Sequence, residues 1–527
     1  MIKQLFITLF FACVSVFGDA QTFSWAQCTV NTGMEYIDVC VGKNNSILVL
    51  ADYTSLSYRT AEEIFFDSKG SVKIDQLWRS SQLLFCFDSE GKLKWYTSIV
   101  GKSNRVEKIT STKSGGFVLL ADIEGSHSAI PGAKQVKNQA SPSRSNDDDD
   151  DEEEEEEDET DSDDFPLRYG KFQLNNQSGL FCRAGWNLVH LSADGRLIQI
   201  DSLGWNEEQD FEMSQFKSHP DGDFLISGHF VKGKLSPSPD HAAGVSGAMF
   251  LAKVGADGKL RWADVSRSQS PSCCSYRGDL SHVSISADGW IVHSGTLYGG
   301  GVFGGQIVTS DLRYSAGAGS SDFMDGFLAC YDPKGKLQWV KTAGNISGFC
   351  NAVVSTSDRV FISYNLHNGE QLYGMKMDTS LRRKSFLLSF DKKGNFLSVR
   401  SMTTTIHHMI PSGENGLIIY GDADRYNKHR VFDDRVSFGE RDLMFLATMD
   451  KNLNVTGFHG FRLLVSRNGE QDLIPLSNGD VFMWGQLWGA LPIEANILDK
   501  AFPAAKVYGG SPYCGYISKD VFTPIKK

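Results

Sequence analysis

The stretch that decides the fold runs from Asp325 to Trp339 and reads DGFLACYDPKGKLQW. An apolar run leads into Asp332-Pro333-Lys334-Gly335, and a short segment then ends in Trp339. An Asp opens such a turn by hydrogen bonding to nearby backbone, and Gly supplies the positive φ that closes it. The stretch therefore predicts a β-hairpin whose two strands are buried or half-buried.

The same phrase recurs along the chain. The turn residues expected to shape these hairpins are Asp88, Gly91, Asp194, Gly195, Asp257, Gly258, Asp332, Gly335, Asp391 and Gly394. A further copy at 450–453 has Leu453 in the place of the glycine. Tryptophans close several copies, and we expect Trp25, Trp95, Trp262 and Trp339 to pack neighbouring repeat units against each other.

A second phrase, a tight polar turn followed by an apolar strand, lies between copies of the first. Its turns occupy 44–46, 114–116, 220–222, 287–289, 357–359, 414–416 and 477–479. Asp-Gly and Asn-Gly turns are strong hairpin signals, so each unit supplies two hairpins. The repeat predicts an all-β fold, a single seven-bladed β-propeller with about four antiparallel strands per blade. A solenoid is the alternative.

The two ends of the repeat region complement each other. Phe23-Ser24-Trp25 is similar to the closing strand of a unit but has no unit before it. The segment 513–518 is similar to the apolar strand that opens the first phrase, and no closing strand follows it. Joining the first and last blades removes an open sheet edge. We therefore expect the N-terminal strand to complete the last blade.

These phrases resemble the bacterial β-propeller repeat family of the SBBP type. The best matches are Asp325–Trp339 and Phe250–Trp262, and 225–230 matches the close of that family's unit. The resemblance extends over most of the chain after residue 20 but is degenerate in every unit. It implies the propeller fold and says little about activity, because propellers carry many unrelated functions.

The N-terminus predicts export. Lys3 precedes the apolar segment 5–12, and Gly18-Asp19-Ala20 places small residues before a cut at Gln21. The predicted domains are a signal peptide at 1–20 and a propeller at 21–527, located in the periplasm, at the cell surface or outside the cell. Lipidation at Cys13 is an alternative. No later apolar run is long enough to predict a membrane span.

An acidic segment accounts for the charge of the chain. Residues 147–164 hold 16 acidic side chains and no basic one, so removing them from the net charge of −12 leaves +4. We expect this run to be disordered, inside an insertion at 125–180 in the second blade. The remainder has no basic footprint for nucleic acid.

Catalytic and metal-binding signatures are absent from the sequence. There is no Gly-x-Ser-x-Gly or His-Glu-x-x-His motif. His407 and His408 are adjacent in a predicted strand, where side chains alternate, so a shared metal is not expected. His229 and His293 are expected in the core or at the central channel. We predict no catalytic, cofactor-binding or metal-binding residues and no cofactor.

Nine cysteines follow the predicted signal peptide, and their pairing cannot be read from the sequence. Quinoprotein dehydrogenases are propellers whose repeats also end in Gly-x-x-x-Trp, and the adjacent pair Cys273-Cys274 is the one match here to their cofactor-binding features. Most of the cysteines are as consistent with small buried residues as with disulfides.

The predicted function is that of a monomeric binding or scaffold module for an unknown protein or glycan at the bacterial cell envelope, and not an enzyme. One alternative is a propeller enzyme, quinoprotein-like or a hydrolase, with a site at the central channel. Another is a structural component of an envelope assembly.

Overall fold

The computed structural model describes most of the repeat region. The described residues are 25–28, 34–54, 61–66, 70–75, 80–101, 104–125, 168–175, 177–205, 210–232, 249–268, 281–297, 300–309, 325–343, 347–368, 371–373, 375–376, 384–402, 404–413, 416–422, 444–461, 472–486 and 512–525. The predicted signal peptide, the acidic run and Cys273-Cys274 lie outside these ranges.

The chain forms a seven-bladed propeller of antiparallel sheets, which confirms the predicted fold. Strands are given below from the inner to the outer edge of each blade. Blade 1 holds Met34–Val41, Ile47–Thr54, Ser80–Phe87 and Leu93–Val100. Blade 2 holds Asn104–Ser111, Phe117–Ile123, Gly185–Leu191 and Leu197–Ser202. Blade 3 holds Asp210–Ser218, Phe224–Lys232, Met249–Val254 and Leu260–Ser268.

The remaining blades follow the same order. Blade 4 holds His282–Ile285, Ile291–Leu297, Asp325–Tyr331 and Leu337–Thr342. Blade 5 holds Ser347–Ser355, Arg359–Asn368, Lys384–Asp391 and Phe396–Met402. Blade 6 holds Thr405–Ser412, Gly416–Asp422, Met444–Met449 and Val455–Phe461. Blade 7 holds Asp472–Pro475, Val481–Gln486, Pro512–Ile517 and the N-terminal strand Trp25–Cys28.

The ring closes through the two ends of the repeat region. Trp25–Cys28 pairs antiparallel with Pro512–Ile517, with Trp25 opposite Tyr516 and Cys28 opposite Tyr513. The outermost strand of blade 7 thus comes from the start of the chain, which confirms the predicted completion of the last blade. This pairing covers a strand edge that would otherwise be open.

The hydrophobic core lies between the blades. Apolar side chains from blades 1 and 2 form one cluster, and further clusters join blade 2 to 3, 3 to 4, 4 to 5, 5 to 6 and 7 to 1. The second and third strands read as continuous apolar runs because both of their faces are covered. Phe117–Ala121 and Leu83–Phe87, for example, are buried throughout.

The turns between third and outer strands have the geometry that the Asp-x-x-Gly phrase requires. In blade 4 the φ of Gly335 is +83°, and its N–H donates to Asp332 O at 2.9 Å. Asp332 Oδ1 accepts from the N–H groups of Lys334 and Lys336. The other turn glycines, Gly91, Gly195, Gly258 and Gly394, have φ of +78°, +79°, +74° and +80°. Leu453 adopts the same conformation at +65° without being a glycine.

The closing tryptophans contact the next blade. Trp95 Nε1 of blade 1 donates to Ala193 O in the turn of blade 2 at 3.0 Å. Trp339 of blade 4 donates to Lys392 O in the turn of blade 5 at 2.8 Å. Trp262 of blade 3 lies beneath Gly335 of blade 4 and stacks on Tyr331. The side chain of Trp25 is outside the described part of the structure.

Additional strands extend the outer edges of three blades. The hairpin formed by Tyr169–Leu174 and Leu180–Arg183 pairs with the outer strand of blade 1. In the sequence, however, this hairpin lies between the second and third strands of blade 2. The hairpin Gly300–Phe303 and Gln306–Thr309 extends blade 3, and Thr523–Pro524 extends blade 6. The first of these hairpins overlaps the insertion that we predicted at 125–180.

Candidate functional site

The inner strands surround the axis of the propeller, and they share a position that carries a polar side chain in every blade except blade 5. In blades 1, 2, 3, 5 and 6 the pairing of the inner strand shifts at an irregularity typical of a β-bulge. The residue after the shift in these five blades pairs with the second strand at the same register as His282 in blade 4 and Asp472 in blade 7. From blade 1 to blade 7 these residues are Asp38, Lys108, Gln215, His282, Ala352, His408 and Asp472.

Side chains from this part of the inner strands reach toward the following blade. Asp38 Oδ2 accepts a hydrogen bond from Ile109 N of blade 2 at 2.8 Å. Lys217, two residues after Gln215, donates from Nζ to Val283 O of blade 4 at 2.8 Å. His282 hydrogen bonds to the backbone of Cys350 in blade 5. These contacts satisfy inner-edge backbone groups that have no neighbouring strand.

A histidine and a carboxylate meet across the boundary of blades 6 and 7. His408 Nδ1 lies 3.2 Å from Asp472 Oδ1, and the imidazole stacks on Tyr420. The neighbouring His407 lies 3.8 Å from Asp422. Both histidine rings lie within 6.3 Å of the Tyr420 ring, so strict alternation does not hold here. The physical reason is the register shift between Ile406 and His408, which interrupts the pleat.

The charges of this cluster act on one another. Burial opposes ionisation of Asp472, but the hydrogen bond from His408 and the charge of Lys217 outweigh it and lower the pKa of the carboxyl group. Burial lowers the pKa of Lys217, against the opposing fields of Asp472 and Asp38. Burial, together with His408 and Lys217, lowers the pKa of His282 to about 4. Because 47% of the Asp472 side chain is exposed, the cluster lines a solvent-accessible lumen.

We therefore take Asp38, Lys217, His282, His408 and Asp472 as the candidate functional site. It offers two carboxylates, an amine and two imidazoles in one lumen, which suits recognition of a small polar ligand or proton transfer. Five different blades supply these five residues. In the sequence these residues are scattered over different strands and form no motif. The adjacent pair His407-His408 was the one feature of the site that the sequence pointed to.

The residues that the repeat analysis singled out lie elsewhere. The Asp-x-x-Gly turns and closing tryptophans belong to the third and outer strands and join consecutive blades. They take no part in the lumen cluster. A rim network between blades 3 and 4 was also not anticipated: Lys253 Nζ lies 2.5 Å from Asp221, and His219 Nε2 lies 3.0 Å from Gly289 O. Although burial opposes it, bonds from Lys253 and His219 lower the pKa of Asp221 to about 2.

His229 and His293 lie in second strands and are buried. His293 Nε2 and Ser281 Oγ are 2.9 Å apart, while its Nδ1 has no hydrogen-bond partner among the described residues. Burial, followed by the charge of His282, lowers the pKa of His293 to about 3. These features are those of a neutral core histidine.

Burial of His293 predicts a defined acid sensitivity. An unfolded histidine has a pKa of about 6.5. The folded state therefore binds fewer protons, and stability is lost as the pH falls from about 6.5 toward the folded value. We expect His293→Gln to reduce the loss of unfolding free energy between about pH 7 and about pH 4.5 by about 2 kcal/mol. Urea titrations at both pH values measure this difference.

Ser281→Ala is the control for this prediction. It removes the hydrogen-bond partner of His293 but leaves a titratable imidazole in the core. We expect it to lower stability at neutral pH and to preserve the acid sensitivity. Equal pH dependence of His293→Gln and the unmodified chain would contradict the prediction.

Six cysteines of the described blades are free thiols. Cys40, Cys86, Cys182, Cys330, Cys350 and Cys514 are buried and form no disulfide. Burial raises the pKa of Cys330 and of Cys350 to about 12 in each case. Such thiols are poor nucleophiles. The interpretation of these cysteines as small core residues therefore fits better than a disulfide framework.

Neither a metal cluster nor a membrane helix occurs in the described ranges. There, no three His, Cys, Asp or Glu side chains are grouped so as to hold a metal ion. None of the helices in those ranges has the length and apolar character to cross a membrane. The large hydrophobic side chains exposed there lie on outer strands or on the hairpin attached to blade 1: Tyr96, Phe181, Ile198, Phe396, Leu397 and Val399.

Comparison with known proteins returns weak structural likenesses. No protein-family model matches the chain, and no curated protein matches it. The polysaccharide lyase Uly1 is similar over 92% of this chain and 90% of its own, with 10% identity and a TM-score of 0.41. BamB from Moraxella catarrhalis is similar over 94% of this chain and 91% of its own, with 8% identity and a TM-score of 0.33.

A protein of unknown function from Dyadobacter fermentans is similar over 94% of this chain and 99% of its own. Its identity is 8% and its TM-score 0.37. Likenesses this weak carry no functional argument. The narrower resemblance to SBBP-type repeats stays a prediction.

Proposed function

We propose that this chain is an exported binding module whose ligand site is the lumen cluster Asp38, Lys217, His282, His408 and Asp472. The ligand class that fits best is a glycan or other small, hydroxyl-rich molecule. We propose a location outside the cytoplasm because the segment 1–20 has the pattern of a signal peptide. We propose a monomer because the ring closes within one chain. The single observation that carries the proposal is the convergence of polar groups from five blades.

Convergence favours binding because this arrangement is costly for stability alone. A lysine and two histidines lose hydration in the lumen, and burial lowers the pKa of Lys217 and of His282. Capping an inner-edge backbone group requires a hydrogen-bonding side chain but not a charged one, and elsewhere the blades are joined by apolar clusters. Ligand sites combine such polar groups on a rigid scaffold, and the ring of blades supplies the rigidity.

A printed array of bacterial cell-wall and capsular oligosaccharides tests the proposal. We expect the purified chain to retain one group of glycans and Asp472→Asn to weaken that binding by about tenfold or more, about 1.4 kcal/mol. The matched control is Asp201→Asn, because Asp201 also pairs with a histidine, His190 Nε2 at 3.1 Å, but on the outer part of blade 2. Glycan binding that Asp472→Asn leaves intact would place the site elsewhere.

A hydrolase or lyase is the second candidate function. A histidine whose Nδ1 meets a carboxylate at 3.2 Å is the usual arrangement of a general base, and His408 and Asp472 have it. Mass spectrometry of a retained glycan after overnight incubation separates the two functions. Release of shortened products by the unmodified chain but not by His408→Gln would establish an enzyme, whereas recovery of the intact glycan would establish a binding module.

A further inference from the structure

The charges in the lumen are separated by sign. Asp38 and Asp472 belong to blades 1 and 7, which are neighbours in the ring. Lys217 belongs to blade 3, and His282 to blade 4. One side of the lumen is therefore acidic, while the other carries a cation and a neutral imidazole.

Lys217 and Asp472 are not paired directly with each other. Lys217 Nζ donates to Val283 O at 2.8 Å, and it forms no ion pair of 4.0 Å or less with Asp472. An ammonium group has three hydrogens to donate. One of them is bound by Val283 O and none by Asp472, so two remain to donate to a ligand. The carboxylate of Asp472 still acts on Lys217 through space, because it opposes the fall in the pKa of the amine.

Asp472 likewise keeps an oxygen available. Its Oδ1 accepts from Leu473 N at 2.7 Å and lies 3.2 Å from His408 Nδ1. Its Oδ2 has no hydrogen-bond partner within the described part of the chain. An acceptor-only group and a donor-only group thus share a solvent-accessible lumen with a gap between them.

We infer that the lumen binds a zwitterionic ligand, a small molecule or glycan terminus with an amino group for Asp472 and a carboxylate for Lys217. The inference rests on the proposed function and narrows its ligand class. A ligand with a single charge would pair with only one of the two residues, Lys217 or Asp472. It would also lie near the other residue, whose charge has the same sign as its own. A zwitterion bridges the gap with two charge-assisted hydrogen bonds and adds no net charge.

Isothermal titration with a matched series tests the inference. The probes are γ-aminobutyrate, β-alanine and glycine, which differ in charge separation, and butylamine and butyrate, which each carry one of the two charges. We expect one zwitterion to bind at least about tenfold more tightly than either single-charge probe. Lys217→Met should remove the advantage over butylamine, and Asp472→Asn the advantage over butyrate. Asp201→Asn should leave both advantages in place.

Two results would overturn the inference. One is butylamine or butyrate binding as tightly as the best zwitterion. The other is a zwitterion preference that neither Lys217→Met nor Asp472→Asn changes. Retention of neutral oligosaccharides through the lumen, with no preference for zwitterions, would reject the inference and leave the proposed function standing. Absence of any binding that depends on Asp472 would reject both.

Discussion

A chain that starts at Thr29 is expected to melt about 5 °C below a chain that starts at Gln21, and to aggregate when heated. The deletion removes Trp25–Cys28, whose four residue pairs with Pro512–Ile517 close the ring. Pro512–Ile517 would become an outer edge, and its buried residues Tyr513 and Cys514 would lose cover. An open edge strand favours pairing with other chains. A loss of about 5 kcal/mol shifts the melting temperature by about this amount in a domain of this size, because the entropy of unfolding rises by about 2.1 cal/mol/K per residue.

Truncation at the other end supplies the matched control. Thr523–Pro524 also adds a terminal strand to an outer edge, that of blade 6, but it does not join the first blade region to the last. We expect a chain that ends at Phe522 to lose less than half as much in melting temperature. Differential scanning calorimetry of both truncations measures the difference. Equal shifts would show that the N-terminal strand is one more edge strand and not the closure of the ring.

Gly335→Ala is expected to lower the free energy of unfolding by about 3 kcal/mol. The positive φ of +83° costs a non-glycine residue about 1 kcal/mol. In addition, a Cβ at this position would overlap the indole ring of Trp262, which packs beneath the turn from blade 3. Relief of that overlap requires the indole or the turn to move, at a cost of about 2 kcal/mol. Urea unfolding followed by tryptophan fluorescence gives the value.

Gly204→Ala separates the two contributions to this effect. Gly204 has a φ of +72°, but a Cβ there would have no neighbour within 4 Å. It should therefore incur the backbone cost alone, about 1 kcal/mol. Equal destabilisation by the two variants would mean that contact between the Trp262 ring and the blade 4 turn does not limit the residue at 335.

Short stretches of sequence were sufficient to predict the strands and turns of the blades. Asp332 and Gly335 fold their turn with bonds inside a few residues, so the phrase is visible wherever it occurs. Pairing of Trp25 with Tyr516 was also predictable, because each fragment lacked the strand that the other supplies. Leu453 shows the limit of such reasoning, since it holds a positive φ where the glycine rule predicts none. Its burial, at 2% exposure, supplies the packing that offsets the strain.

The candidate site could not be read in the same way. Asp38, Lys217 and Asp472 are far apart in sequence, and none stands in a motif. The adjacent pair His407-His408 was noted in the sequence, but the alternation of side chains along a strand predicted that the two rings lie on opposite faces. The register shift before His408 brings both rings beside Tyr420 instead. A register shift depends on how one strand pairs with another, so it cannot be predicted from the sequence of that strand alone.

The sequence by itself determined the strands, the turns and the number of blades, because hairpins are made by residues close together in the chain. Only the tertiary structure decided which polar side chains meet. Ring closure brings the inner strands of all blades to one axis, and it places Asp472 of the last blade near Lys217 of the third. Proximity of this kind depends on the angles between sheets, which no local pattern encodes.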